Sequence, residues 1–443
     1  MNERKIASEI LYDIEKNSAY TNISLTKSFN NFHELKSFEK GFISELVHGV
    51  TEHRITIDYI ISQFSNIKLN KINLKLLICL RIGIYQILYM DKIPESAAVN
   101  ESVKLAKKFS GQRGGGFVNG ILRNFIRNKD NIKFPDDENE FLSVHFSYPL
   151  EIIDLFLSEF GFQFTKDLLE AFDKRRQITM RCNLLKTDAK SLLESLNENG
   201  VSAELYRNES FPDINYAVYT DRIKNLEDLP SYKNGEFYIQ DIGAMLVTEV
   251  LSPEPGNVVM DVCAAPGGKS MHIAEKMENK GSVYAFDIYE HKIKLINDNA
   301  TRLGINICNA KVCDATSLNE DYIEMADCVL VDAPCSGFGI IGKKPDIKYQ
   351  RKVGDIYELS SLSLKILENS AKYVKKGGTL VFSTCTILKE ENERVIEKFL
   401  ENQNGRFTLE PIDKIKKDNR GYVTLYPNID GTDGFFICKL RKC

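Results

Sequence analysis

Two cysteines stand in settings that invite covalent chemistry: Cys335 in DAPCSG (Asp332–Gly337) and Cys385 in STCTI (Ser383–Ile387). Each follows an apolar run that reads as a buried strand, so in a parallel sheet both thiols fall on the same sheet edge despite their separation in the chain. A thiolate is a strong nucleophile; only a few per cent of an unperturbed thiol ionises at pH 7, and nearby positive charge or a helix start raises that fraction. The competing reading is packing, because cysteine is among the most buried residue types. Cys263, Cys308, Cys313 and Cys328 take that reading. No CxxC pair or neighbouring histidine completes a tetrahedral ligand set, so no metal is expected.

The sharpest local motif is MDVCAAPGGKS (Met260–Ser270), an apolar strand running into a glycine turn and then a helix. It is not a phosphate-binding P-loop, whose first glycine would have to stand at Cys263. Nor does it supply the Gly-x-Gly-x-x-Gly of a dinucleotide site. What remains is a turn whose glycines admit a small ligand to the backbone and whose helix amides can receive a carboxylate. The methionine part of S-adenosylmethionine carries one. Asp287 ends the next strand, where an acid typically accepts ribose hydroxyls. Asp314 ends the third strand, facing the adenine on this reading, and Asp332 ends the fourth. One strand-terminal Asp is commonly a helix cap; three on successive strands point to a ligand. The candidate cofactor set is Cys263, Ala264, Ala265, Pro266, Gly267, Gly268, Lys269, Asp287, Asp314 and Asp332.

The elements that must position these residues form an α/β domain over residues 235–443. NVVMDVC, SVYAFDI, AKVCDA, DCVLVDA and TLVFSTC alternate with helices, which predicts a Rossmann-like parallel sheet covered on both faces. Residues 150–234 read as a small α+β domain: a helix over 150–172, strand TMRCNLL, helix SLLESLNENG ended by Gly200, and strands SAELYRN and NYAVYT. The βαβ pattern suggests a ferredoxin-like or RNA-recognition-like fold, without paired stacking aromatics. Residues 131–149, in the polar stretch carrying Pro135, read as a linker.

Residues 1–130 read as an all-α bundle, with apolar residues recurring at three and four (Ile6, Ile10, Leu11, Ile14; Leu76, Leu77, Leu80, Ile84). LKLLICLRIGIYQILYM (Leu74–Met90) is too apolar for a surface helix and becomes the central one. Pro94 precedes a helix over Ser96–Phe109, and GQRGGG (Gly111–Gly116) breaks it. LRIGIYQILYMDKIPESAAVNESVKLAKKF followed by GFVNGILRNF resembles the core of the NusB family of RNA-binding antitermination factors. That resemblance implies a helical RNA-binding domain. Lys104, Lys107, Lys108, Arg113, Arg123, Arg127 and Lys129 form the patch that would meet phosphates. The net charge of -4 hides this patch: residues 1–130 hold 19 Lys/Arg against 13 Asp/Glu, leaving 39 against 49 for the rest of the 58 and 62.

Asp-Ala-Pro-Cys-Ser-Gly and Ser-Thr-Cys-Thr, following Asp-x-Cys-Ala-Ala-Pro-Gly-Gly-Lys, resemble the Sun family of RNA cytosine-5 methyltransferases. With the NusB-like domain, the resemblance narrows to the bacterial branch acting on small-subunit (16S) ribosomal RNA. Cytosine C5 takes a methyl only after a nucleophile adds at C6, and a cysteine can do this. The resemblance implies a class I methyltransferase domain using S-adenosylmethionine, with Cys385 as covalent nucleophile and Cys335 assisting product release. The residues alone leave the two roles open, since DNA cytosine methyltransferases use a Pro-Cys thiol as the nucleophile. In KKPDIKY (Lys343–Tyr349) the family carries an arginine pair before Pro-Asp; here Gly342 and Lys343 stand there, so a bidentate phosphate contact is lost. GTDGFFICKL matches the family's last strand.

Ten cysteines without small-scaffold spacing suit a reducing compartment. No apolar run approaches the ~18 residues of a membrane span and no secretory signal is evident, so a cytoplasmic, monomeric protein with no membrane partner is expected. Amino-methylating enzymes fit poorly, because their Asn/Asp-Pro-Pro-aromatic loop is replaced by Asp-Ala-Pro-Cys. A transfer-RNA methyltransferase and an inert RNA-binding factor remain the rival readings.

Overall fold

The computed structural model describes residues 3–17, 19–174 and 177–443. Two compact units emerge: Met1–Asp173 with Lys344–Arg351, and Lys174–Lys343 with Lys352–Cys443.

The first unit is helical: α1 (Glu3–Asn17), α2 (Thr21–Asn31), α3 (Ser37–Glu52), α4 (Arg54–Phe64), α5 (Leu74–Tyr89), α6 (Glu95–Asn128), α7 (Glu138–Phe146), α8 (Leu150–Phe160) and α9 (Phe162–Asp173). The apolar α5 is central, packing on α1, α3, α4 and α6, with every residue from Leu77 to Gln86 buried. The one charge within that buried stretch is compensated: Arg81 makes a two-pronged bond to Asp58 (2.7 and 2.8 Å) and a third contact to Glu15 at 3.1 Å. The break in α6 falls at Ser110 and at Gly111 (φ +64°), so most of GQRGGG belongs to the second helical half.

The expected linker holds a real helix. Asp137 caps α7 by accepting from the backbone N–H groups of Asn139 and Glu140, and Leu142, Val144 and Phe146 are buried. Polar, acidic composition conceals it, because a short helix needs only one buried stripe. The helices over 150–173 also group with this unit rather than with the sheet that follows them.

Lys344–Arg351 completes the helical unit. The Asp346 carboxylate accepts from Thr21 N (3.1 Å) and Thr21 Oγ1 (2.6 Å), capping α2, whose own N-cap residue Tyr20 supplies no side-chain bond. Tyr349 donates toward the Ser147 and Glu52 carbonyls while the Arg54 guanidinium lies 3.8 Å from its ring centroid. Lys348 is 2% exposed, bonded to the Phe146 carbonyl and set over the Tyr148 ring, and burial pulls its pKa down to about 7. Within the basic stretch KKPDIKY, Asp346 and Lys348 are thus committed to packing, while Lys344 is exposed. Asp346→Ala should cost roughly 1–2 kcal/mol, the worth of a helix cap, read as faster amide exchange in the first turn of α2. Unchanged exchange there would show that the distant cap contributes nothing.

The second unit holds two sheets. β1 (Ile178–Cys182), β2 (Ala203–Leu205), β3 (Ala217–Thr220) and β4 (Phe237–Ile239) form an antiparallel sheet in the order β2-β3-β1-β4. This is the split βαβ arrangement of ferredoxin-like folds. Its fourth strand lies beyond residue 234, past the boundary read from the sequence; three residues are too few to show a period.

The larger sheet contains β5 (Val258–Asp261), β6 (Ser282–Asp287), β7 (Cys308–Val312), β8 (Ala326–Asp332), β9 (Val374–Thr384), β10 (Phe407–Leu409), β11 (Tyr422–Leu425) and β12 (Phe435–Lys442), with the main order β10-β12-β9-β8-β5-β6-β7. Strands β5 to β9 are parallel and β12 runs against β9. The order reverses between β5 and β8, the switch point at which open α/β sheets bind ligands beyond the strands' C-terminal ends. Phe435 and Phe436 are core residues.

The two sheets are tied by Arg181 of β1, which is fully buried. It bonds both oxygens of Glu275 (3.0 and 2.7 Å), the Gly268 carbonyl (2.9 Å) and the Gln240 side chain. Glu275 and Gly268 belong to the helix that follows the glycine turn, Gly268–Lys276. The small sheet therefore braces the start of that helix.

Candidate active site

The pairing of β8 with β9 matches Asp332 with Ser383. The turns that follow consequently meet, and Cys335 Sγ lies 3.3 Å from Cys385 Sγ, a thiol hydrogen bond rather than a disulfide. Gly339 brings the rest of the Cys335 turn close: its N–H bonds the Cys385 carbonyl at 2.9 Å, and a Cβ there would stand 2.1 Å from the Gly434 carbonyl oxygen. The Cys385 hydrogen bond and burial, then the charges of Cys385, Glu391 and Asp332, push the Cys335 thiol well above the ordinary range. Lys269 is the cation of this corner. Its Nζ contacts Asp332 at 2.6 Å, whose other oxygen accepts from Ser383 Oγ at 2.8 Å. Burial opposes the ammonium, but Asp332, Asp261 and Cys385 together raise its pKa.

Beside the thiols is a cavity of about 420 Å³ whose walls come from the ends of four successive strands: Val262, Cys263 and Ala265 after β5, Asp287 to Tyr289 after β6, Cys313 to Thr316 after β7, and Asp332 and Pro334 after β8. Lys292, Leu362 and Ile366 complete it. Of the residues expected to hold a cofactor, Cys263, Ala265, Asp287, Asp314 and Asp332 line the cavity. Ala264, Pro266, Gly267, Gly268 and Lys269 form the turn and helix start, with Gly267 in the left-handed region at φ +101°. Asp287 has only long bonds, from Tyr289 N–H (3.2 Å) and Lys292 Nζ (3.4 Å). Asp314 turns one oxygen to its own loop, accepting from Thr316 N and Oγ1 (2.8 and 2.7 Å), which is the capping behaviour common to strand-end aspartates.

Sequence reasoning missed Asp261 at the end of β5. It is 1% exposed; Oδ2 accepts from Ser270 Oγ at 2.6 Å, while Oδ1 has no hydrogen-bond partner among the described residues. Burial, opposed by the Ser270 bond and aided by Asp332, pushes its pKa up to about 7. The signal was present, since an acid closing an otherwise apolar strand is anomalous. Ile288 and Tyr289, each more than half exposed at the cavity, were also missed. Burial and the surrounding aspartates raise the Cys263 thiol strongly, and burial pushes Cys308 up to about 12 and Cys328 to about 11.

Lys343 joins Asp241 (2.8 Å) and Asp433 (2.7 Å), an internal bridge rather than a phosphate contact. Among the described residues, the cluster whose donor atoms could surround a metal is Glu52, His53 and Asp173, in the helical unit. Lys348 packs beside it, its ammonium disfavoured by burial and favoured by the Glu52 and Asp173 carboxylates.

A Bacillus subtilis (strain 168) protein named "Probable ribosomal RNA small subunit methyltransferase B" is 38% identical to this chain, covering 99% of it and 98% of the relative. The chain belongs to the ribosomal RNA small subunit methyltransferase B family. A Synechocystis relative with the same name is 33% identical over 99% of both chains. The family described as "16S rRNA methyltransferase RsmB/F" matches residues 248–441, which carry both thiols and the cavity, and the NusB family matches residues 1–127. The crystal structure of PH0851 superposes with a TM-score of 0.82 at 27% identity, covering 100% of this chain and 99% of that one. The family thus joins a helical NusB domain to a Rossmann-like methyltransferase, as the two resemblances imply. No helix among the described residues is long and apolar enough to cross a membrane.

Proposed function

We propose that this chain transfers a methyl group from S-adenosylmethionine to C5 of a cytosine in small-subunit ribosomal RNA, through a covalent bond between Cys385 and C6. The observation that carries this reading is the pair of thiols in contact at the C-terminal edge of the sheet, next to a strand-end cavity.

The cavity residues fit the cofactor. The unpaired, buried Asp261 oxygen suits the α-ammonium, the amides of helix Gly268–Lys276 suit the carboxylate, and the weakly engaged Asp287 suits the ribose hydroxyls. Ile288 and Tyr289 offer an apolar wall for a purine. When bound, S-adenosylmethionine supplies an electrophilic methyl group. Cys385 adds to C6 and makes C5 nucleophilic; after transfer C5 loses its proton and Cys385 departs, with Cys335 assisting release from contact distance. Lys269, held by Asp332, supplies the positive charge that favours a thiolate at Cys385.

The helical unit supplies the RNA grip. All seven basic side chains between Lys104 and Lys129 named above are exposed, and Lys107, Lys108, Arg113 and Arg127 have no acidic partner among the described residues. Phosphate contacts of this kind position RNA without reading its sequence. Extruding a base costs least where it is unpaired, so a loop cytosine is the expected target.

Incubation with labelled S-adenosylmethionine and unmodified small-subunit ribosomal RNA, followed by mapping of 5-methylcytosine, should give one modified unpaired cytosine. Transfer only to transfer RNA would replace the substrate, and absence of cofactor binding would favour the inert RNA-binding reading. Asp261 adds a pH signature. Its carboxylate attracts the ammonium only when ionised, so cofactor affinity should fall as pH drops through about 7. Asp261→Asn should bind more weakly and lose that dependence; calorimetry across pH 6 to 8 checks both.

A further inference from the structure

A third turn joins the two that carry the thiols. Lys389–Glu391 forms a single helical turn after β9, followed by Asn392 and the helix Glu393–Gln403. Glu391 is 1% exposed, and its two oxygens accept from Ser336 N and Ser336 Oγ, each at 2.6 Å. The Ser336 hydroxyl has one proton and gives it to Glu391, so the 3.0 Å contact with Thr386 Oγ1 has Thr386 as donor. Asn392 holds the other flank: it accepts from Thr384 Oγ1 at 2.6 Å and donates to the Thr386 carbonyl at 3.1 Å. The neighbour following Cys335 and both neighbours of Cys385 are therefore pinned to two adjacent residues of one turn.

We propose that Glu391 is a positioning residue for the two thiols, locking the Cys335 turn to the Cys385 turn through Ser336 and Thr386. The proposal rests on reading Cys385 and Cys335 as the catalytic pair. A buried carboxylate is a costly way to hold a turn unless its charge is also used. The charges around the pair are divided: Glu391 and Asp332 raise the Cys335 thiol, behind the larger effects of its Cys385 hydrogen bond and burial, whereas Lys269 feels the charge of Cys385. Cys335 is thereby kept as the protonated partner of the pair. Cys385, Glu391, Asp332 and Lys269 are the groups that set this balance.

The test uses the full-length enzyme carrying Glu391→Gln, with Ser336→Ala as the milder variant and melting curves to check folding. Iodoacetamide labelling of Cys335, resolved by mass spectrometry across pH, should show a midpoint at lower pH in Glu391→Gln. Under saturating S-adenosylmethionine and small-subunit ribosomal RNA, kcat should fall at least about tenfold with both KM values little changed, as misplacement of a reacting group predicts. Glu391→Asp keeps the charge at a shorter reach, so its midpoint should stay near wild type while kcat remains low. Wild-type kcat in folded Glu391→Gln overturns the proposal. Should that variant not fold, wild-type kcat in Ser336→Ala overturns it instead. An active Cys385→Ala enzyme would sink the catalytic reading, whereas the Cys335 midpoint still reports on the Glu391 contact.

Discussion

Cys385→Ala should lower methyl transfer by at least about four orders of magnitude, the scale on which enzymes lose rate when a covalent nucleophile is removed. Cofactor binding should survive, because neither thiol lines the cavity formed by the strand ends. Cys335→Ala should differ in kind. With the nucleophile intact but its contact partner gone, an enzyme–RNA adduct resistant to denaturation should accumulate. Transfer from labelled S-adenosylmethionine, calorimetric binding and a denaturing gel separate these outcomes. A Cys385→Ala enzyme of near-normal activity would exclude Cys385 as the covalent nucleophile; adduct accumulation in Cys385→Ala rather than Cys335→Ala would exchange the two roles.

Arg181→Ala is expected to have the largest effect on stability. The guanidinium and the Glu275 carboxylate are both buried, and removal of one partner leaves the other charge uncompensated. Such losses cost about 3–5 kcal/mol, a fall in melting temperature of roughly 10 °C for a unit of this size. Replacing both charges by apolar residues of similar volume, as in Arg181→Met with Glu275→Leu, should recover much of the loss. Since Arg181 also holds the Gly268 carbonyl, the single variant should weaken cofactor binding before it unfolds. A melting temperature within a degree of wild type would show that the bridge between the sheets does not hold them.

The sequence by itself determined which chemistry the chain can attempt and which large elements it forms. The α5 helix, the break at Gly111, the alternation of strands and helices and the Cys335 and Cys385 turns are legible because each depends on local pattern: apolar period, glycine conformation and strand-terminal residues. The tertiary structure decided what depends on partners distant in the chain. A helix hides in the acidic linker because its buried face is visible only once α4, α8 and α9 surround it. The basic stretch after the Pro-Cys turn packs into the helical unit because Thr21, Ser147 and Tyr148 supply its partners. Asp261 and Glu391 become notable only when burial strips their carboxylates of water, which leaves one Asp261 oxygen without a bond and commits Glu391 to Ser336. Residue type and spacing are encoded along the chain, whereas desolvation and hydrogen-bond partnership exist only in three dimensions.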